Sequence, residues 1–416
     1  MKFLNGVPLF DQHGNPVNAH GGCILREGNQ YYLFGEYKTD DENKYIGFSC
    51  YSSKDFYHWY FEGLALPPQP EGLLGPERVG ERVKVLKSPQ TGKYVMLMHT
   101  DDLKYCDPCI GLAVSDQIDG TFTFIGPLLF HGKPIRMWDM GTFVDEDGTA
   151  YLMTHEGDIY RLDGSCTSAV EKVAEQVAPG GEAPALFKQN GTYFLMFSNK
   201  TSWERNDNYY LTAKQLSGPW EYKGLFCPAG SLTYNTQCSF VFLYDGARGT
   251  VPVYMGDRWS FPRQASAATL VFLPIWTDGE EMRIEKYRSA WSPDTLADYS
   301  LEPEEYLSFS SNQKDEQLEI KFSGSNIAVF GESGRHGGYA DFNIYDQNGV
   351  LRNKAVIDFY SLIKQEGLRY VSPELPIGEY TLRITVTGTN GVWFNKRGDR
   401  FGSDNYFVKI SGWRIW

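Results

Sequence analysis

Apolar residues in this chain come in short runs broken by Gly, Pro, Asn and Asp, and one layout of these runs repeats. Gly181-Glu182-Ala183-Pro184-Ala185-Leu186-Phe187 places a carboxylate at the head of an apolar, strand-like run. That run ends at the turn signal Asn190-Gly191, and an aromatic run, Tyr193-Phe194-Leu195-Met196-Phe197, follows at once. The same layout starts at Asp139, with its turn at Asp147-Gly148, and at Gln237, with its turn at Asp245-Gly246. Asp139 to Gly148, Glu182 to Gly191 and Gln237 to Gly246 each span nine positions. Looser copies run from Glu81 to Thr91-Gly92 and from Ala19 to Gly28. Five copies of polar residue, strand, tight turn and aromatic strand predict an all-β, five-bladed β-propeller, each copy aiming one polar group at a shared central pocket.

Few windows carry the i, i+3, i+4, i+7 stripe of an amphipathic helix, so little helix is expected. Residues 1–17 read as a lead-in that becomes an outer strand closing the ring. A polar, Pro-containing stretch from Trp291 to Glu305 reads as a linker. Beyond it the pattern becomes strictly alternating. Leu318, Ile320 and Phe322, and later Tyr380, Leu382, Ile384 and Val386, alternate with polar residues. Such alternation means one buried and one wet face, as in a β-sandwich. The expected organisation is a propeller catalytic domain over 1–295 and a β-sandwich over 303–416, there either to bind carbohydrate or to support the propeller.

At 416 residues the chain is long for a single core, which agrees with two domains. Aromatics reach 15%, which suits sheet packing and also suits stacking on sugar rings. The net charge of −13 argues against nucleic acid or an anionic membrane as partner. No apolar run is long enough to span a bilayer, and the N-terminus lacks the apolar stretch of a signal peptide, so a cytoplasmic location is expected, or secretion if a leader has been trimmed. The seven cysteines include Cys106-Asp107-Pro108-Cys109, a lone CxxC without the further ligands zinc needs; they read as reduced, mostly buried thiols.

In a propeller the inner strands line the axis and their first residues meet at one end. Glu81, Asp139, Glu182 and Gln237 would converge there from distant parts of the sequence. Two carboxylates flanking a bond are what glycoside hydrolysis requires, one to protonate the leaving oxygen and one to serve the water or the sugar carbon. Glu182 has apolar neighbours and other carboxylates near it, both of which favour its protonated form and suit a general acid. The alternative is a strand-start glutamate exposed to solvent or paired with arginine.

Glu81-Arg82-Val83-Lys84-Val85, the stretch Trp138 to Gly148, Gly181 to Phe187 and Met255-Gly256-Asp257-Arg258-Trp259 resemble glycoside hydrolase family 43. Asn18 to Leu25, Tyr31 to Glu36, Ser198 to Trp203 and Thr236 to Val241 resemble in particular its exo-β-1,3-galactanase subfamily. The resemblance covers residues 17–290 and implies Glu182 as general acid and Asp139 as the residue that tunes it. The family's usual first-blade base is missing, its place falling at or beside Gly21. The resemblance then implies that Gln237 holds the nucleophilic water, as an amide or an imidic acid tautomer, with Glu81 as an additional carboxylate. Inversion would set Gln237 about 6.5–9.5 Å from Glu182.

Arg82, Tyr105, Thr201, Trp203, Asn206 and Asp257 are further pocket candidates, and His20 either lines the pocket, ligates an axial ion or is a core histidine. Trp393 and Phe394 sit in a Gly- and Asn-rich loop where an aromatic could read sugar. No cofactor is expected and no metal ligands are assigned; a structural calcium ion is left open, as is the oligomeric state. The implied activity is inverting, exo-acting hydrolysis of β-1,3-linked galactosyl residues from galactan or arabinogalactan oligosaccharides. The rivals are α-L-arabinofuranosidase or β-xylosidase specificity, and a non-catalytic sugar-binding propeller.

Overall fold

The structure is a computed structural model and describes residues 1–395 and 397–416. Among the described residues it is almost entirely β, with α-helix limited to Leu232–Asn235 and Gln264–Ala267. Among the described residues, no helix is long and apolar enough to cross a membrane.

Each repeat of the sequence pattern becomes a sheet whose consecutive strands run antiparallel. The first orders His20–Glu27, Gln30–Glu36, Phe48–Ser53 and Tyr60–Leu66, and the second Arg78–Lys87, Tyr94–Asp102, Cys109–Ser115 and Thr123–Pro127. The third runs from Met140–Val144 through Ala150–Thr154 and Ile159–Leu162 to Ser168–Ala174, and gains the short strands Leu129–Phe130 and Lys133–Pro134 at its edge. The fourth orders Gly181–Gln189, Thr192–Asn199, Tyr209–Ala213 and Glu221–Leu225; the fifth orders Gln237–Gly246, Gly249–Arg258 and Thr269–Pro274. The first strand of each sheet packs against the first strand of the next, and Gln237–Gly246 packs back against His20–Glu27. These approaches are close. A Cβ on Gly141 would lie 2.3 Å from the carbonyl oxygen of Pro184, so only glycine fits there.

The turn chemistry follows the sequence. Gln189 pairs with Thr192 across Asn190 (φ 50°) and Gly191 (φ 72°), the two positive-φ positions of a two-residue hairpin. A second device was not visible in the hydrophobic pattern. The register slips just after His20, Glu81, Glu182 and Cys238. Gly21, Arg82 and Ala183 there take φ of 59°, 55° and 56°. Bulges of this kind bend the strand and re-aim the residue at its head.

The lead-in does less ring closure than expected. Only Phe3–Leu4 forms a strand, paired with Ala290–Trp291. Asn5 fastens it: its side chain donates to the carbonyls of Phe272 (2.7 Å) and Arg288 (2.8 Å) and accepts from the Phe272 N–H (2.7 Å). Further along, Phe10 packs edge-on to Tyr370, and the Gly14 carbonyl accepts from Asn353.

Residues from Glu305 onward form two four-stranded antiparallel sheets. One contains Gln317–Gly324, Gly378–Val386, Tyr339–Asp346 and Leu351–Asp358; the other Glu305–Ser311, Val408–Ile415, Ile327–Ser333 and Gln365–Val371. Their apolar faces share a core that includes Ile320, Phe342 and Leu382 from one and Val329, Tyr370 and Ile410 from the other. The opposite face of the second sheet is not wet. Ala328, Phe330, Leu368 and Val371 join the core of Phe3, Trp59 and Trp291. The two halves therefore bury apolar surface against each other, which strict alternation alone would have left exposed.

All seven cysteines are free thiols and Cys106 alone is exposed, in keeping with the expectation of reduced, mostly buried cysteines. Trp291 is fully buried and its indole N–H donates to the Phe272 carbonyl at 2.8 Å. Trp291→Ala removes a large side chain where N-terminus, fifth sheet and C-terminal sheets meet. It should cost about 3–5 kcal/mol, read as a lower urea midpoint for the full-length protein.

Candidate active site

Register decides which residue stands at each strand head. Glu81 lies opposite His99, Glu182 opposite Ser198 and Gln237 opposite Asp257. In the first sheet the matching pair is His20 and Glu36. The head of that repeat is therefore His20, and Gly21 occupies the bulge position held elsewhere by Arg82 and Ala183. A Cβ on Gly21 would lie 2.0 Å from Glu36 Oε1. The carboxylate of Glu36 fills the room in which a side chain at position 21 would sit.

Arg82 crosses the centre of the cluster. Its Nε lies 3.2 Å from Asp139 Oδ2, one terminal nitrogen donates to Gln237 Oε1 (2.7 Å), and its backbone N–H donates to Glu36 Oε1 (2.8 Å). Trp259 Nε1 also donates to Gln237 Oε1, at 2.8 Å. With two donors on its oxygen, the Gln237 amide has one orientation, and its NH2 must face the other way. There it donates to Glu182 Oε1 (2.9 Å) and Ser198 Oγ (3.2 Å). This corrects two expectations. Gln237 touches the acid directly instead of standing about 6.5–9.5 Å away. An imidic acid O–H would face the Arg82 and Trp259 donors and find no acceptor.

Glu182 is the group most suited to carry a proton. Burial, and after it the charge of Asp139, pushes its carboxyl up to about 8, against the opposing effects of Arg82, Lys200 and Gln237. Asp139 is held beside it by the Ala183 N–H, which donates to Asp139 Oδ2 at 3.0 Å. Glu81 behaves oppositely. Burial opposes its charge, but Lys38 and His99 outweigh burial and hold it well below the usual carboxylate range. Asn43 (2.7 Å) and the Tyr105 hydroxyl (2.8 Å) donate to its Oε1. Burial alone would lower His99, yet Asp101 and Glu81 raise it to about 9, so it is a cation at neutral pH. One carboxyl is thus kept neutral and another ionised within one cluster, the division that acid–base chemistry needs.

Glu81, His99 and Asp139 bring ligand atoms within 4.8 Å of one another, which is close enough for a divalent ion. The cationic His99, and Arg82 on Asp139, already supply the positive charge there, so the donor set fits a metal poorly.

The remaining candidates divide. Tyr105 joins the cluster through Glu81, and Trp203 flanks it, stacked on Phe261 (5.4 Å between centroids) and edge-on to Trp259 (5.3 Å). Asn206 and Thr201 brace their own loop. The Asn206 amide donates to Ser198 Oγ, the Asn199 carbonyl and Thr201 Oγ1, and Thr201 Oγ1 donates to the Glu204 carbonyl. Asp257 and His20 are both 0% exposed, so neither presents a surface to a sugar. Asp257 Oδ2 accepts from the Gly21 N–H at 3.1 Å. Trp393 is buried and stacks on Phe401, while Phe394 is exposed. Glu36, Lys38, Asn43, His99, Ser198 and Trp259 were not singled out from sequence. The positions of Glu36, His99 and Ser198 opposite the strand heads follow from hairpin register once the bulge is known. Lys38 and Asn43 lie in a loop with no pattern to mark them.

The family model for glycosyl hydrolases family 43 matches residues 14–225, just over half of the chain. A structure from Bifidobacterium bifidum s17, assigned as an exo-β-1,3-galactanase, is 34% identical, covers 68% of this chain and 95% of its own, and superposes with a TM-score of 0.62. The chain belongs to glycosyl hydrolase family 43. The fold is also shared with an exo-β-1,3-galactanase from Phanerochaete chrysosporium solved with galactose (22% identity, 99% of this chain and 100% of that one, TM-score 0.69). Another, from Clostridium thermocellum, is 24% identical over 99% of this chain and 96% of its own, with a TM-score of 0.64. No curated protein matches the chain.

This family-43 chain is a glycoside hydrolase, and its cluster carries the electrostatics of such an enzyme. In Asp139→Asn the charge that raises Glu182 disappears. The Glu182 carboxyl then falls, and the alkaline limb of kcat/KM moves to lower pH, away from about 8. A pH–rate profile measured from pH 4 to pH 10 checks this; an unmoved limb removes Asp139 from the tuning role.

Proposed function

We propose that this hydrolase is an inverting, exo-acting β-1,3-galactosidase that releases galactose from galactan or arabinogalactan oligosaccharides. We further propose that the five N-terminal sheets are blades of a propeller over 1–295 and that the C-terminal sheets form a β-sandwich over 303–416. The observation that carries the catalytic reading is the buried Glu182 carboxyl, raised to about 8 beside Asp139 and hydrogen-bonded by Gln237. The substrate class rests on similarity to the proteins whose names carry exo-β-1,3-galactanase activity.

In this reading Glu182 gives its proton to the glycosidic oxygen as the C1–O bond breaks. Gln237, fixed by Arg82 and Trp259, orients the acid and is a positioning residue. Water attacks C1 from the opposite face and its proton passes to Glu81, the carboxylate the site keeps ionised. Glu81 is a weak base, but an oxocarbenium-like transition state makes the incoming water acidic as the new bond forms, so a strong base is not required. Trp203 offers a ring for stacking against a sugar face.

Leaving-group chemistry separates the two carboxylates. Glu182→Gln should abolish cleavage of β-1,3-galactobiose yet spare much of the activity on an activated aryl galactoside, which needs little protonation. Glu81→Gln should depress both substrates alike. Equal loss on both substrates in Glu182→Gln removes it from the acid role. A panel of aryl galactosides, arabinofuranosides and xylosides tests the sugar specificity.

Gln237 is checked by sign. It lowers the Glu182 carboxyl through its hydrogen bond, so Gln237→Ala should move the alkaline limb of kcat/KM upward, opposite to Asp139→Asn. If Gln237 held the water instead, kcat would collapse with the limb in place. Proton NMR of the first-formed galactose should show the α anomer from a β-linked substrate; β-galactose would refute inversion.

A further inference from the structure

Where the C-terminal sheets meet the first half of the chain lies a small, partly open cavity of about 30 Å³, room for one or two water-sized particles. Three buried arginines line it. Arg205 comes from the loop before Tyr209–Ala213, Arg258 from the end of Gly249–Arg258, and Arg369 from Gln365–Val371. Holding three guanidinium groups away from water is costly unless each finds acceptors and opposite charge.

Neither requirement is met by the chain alone. Among the described residues, Arg205 Nε and Arg258 Nε are buried with no hydrogen-bond acceptor. Arg258 uses one terminal nitrogen on the Tyr234 carbonyl (3.0 Å) and packs over the Tyr287 ring. Arg369 has only neutral acceptors: Ser333 Oγ at 2.9 Å and the carbonyls of Gly367 and Gln365 at 3.4 and 3.3 Å. The nearby carboxylates are occupied. Glu204 lies 3.7 Å from Arg205 and accepts from the Tyr360 hydroxyl at 2.6 Å. Asp358 accepts from Ser260 Oγ and the Tyr360 N–H, both at 2.8 Å. Glu332, whose charge also reaches Arg369, is already paired with Lys364 and Lys409. The three cations are therefore left with Glu204 and Asp358, and burial raises the carboxyl of Asp358. Burial, and then the neighbouring Arg258, pushes Arg369 down to about 10.

We propose that this cavity binds one small monatomic anion of the chloride class between Arg205, Arg258 and Arg369, joining the C-terminal sheets to the catalytic half. The ion balances the surplus charge and accepts from the two Nε–H groups. Its place is separate from the reacting groups. Trp259, which lines the cavity, is also the residue whose indole N–H fixes Gln237, so the ion sits behind that wall of the active site.

The test uses the full-length protein. After exchange into sodium gluconate, sodium chloride or bromide added at constant ionic strength should raise the thermal midpoint by about 2 °C or more and then saturate. Crystals soaked in bromide should give an anomalous peak between the three guanidinium groups. Arg369→Met should lose both the peak and the anion dependence. Wild-type crystals without the bromide peak overturn the proposal, whether or not that variant folds. A wild-type midpoint indifferent to chloride also overturns it, as does one raised equally by sulfate, which would mark a general salt effect.

Discussion

The active site depends on the guanidinium group of Arg82. It spans three sheets, pairing with Asp139 from the third, donating to Gln237 from the fifth and sitting in the bulge of the second. It is buried, so its charge must be matched. That match sets a cation against Asp139, the group whose charge acts on Glu182. It also sets the Gln237 amide, because an oxygen facing a guanidinium and an indole N–H cannot be exchanged for an NH2. That amide donates to Glu182, so the cation on one side of Gln237 sets what Glu182 meets on the other.

The surrounding charges follow from this arrangement. Burial favours the neutral form of Glu182, and Asp139 adds to it. A few ångströms of protein away, Lys38 and the cationic His99 make Glu81 the opposite case. Two glutamates of the same intrinsic acidity are driven apart by their neighbours, one towards the neutral form and one towards the ionised form. A metal ion would disturb this balance, because two of the three groups that could ligate it are already matched to cations.

The C-terminal sheets are more than an appended unit. They share a core with the N-terminal segment and the first and fifth sheets, and they approach the loops that carry Trp203 and Trp259. Tyr339 donates to the Ser260 carbonyl and Tyr360 to Glu204, so the back of the active-site wall is built from both halves of the chain.

The sequence by itself determined the sheets and their heads. Each polar residue before an apolar run, and each turn such as Asn190-Gly191, is a local signal, since alternation and positive φ are properties of a few consecutive residues. From these alone Glu81, Asp139, Glu182 and Gln237 could be brought to one place. What those residues do there was decided by tertiary structure. The sequence could not say that Glu36 fills the space beside Gly21, that Asn206 is spent on its own loop, or that His20 and Asp257 are fully buried. Nor could it say that Gln237 contacts Glu182 directly. Asn206 is the local case, its partners lying within its own loop; the others turn on a one-residue bulge or on a partner distant in the chain. A hydrogen bond formed across that separation leaves no period in the chain, because it is made by packing and not by local conformation.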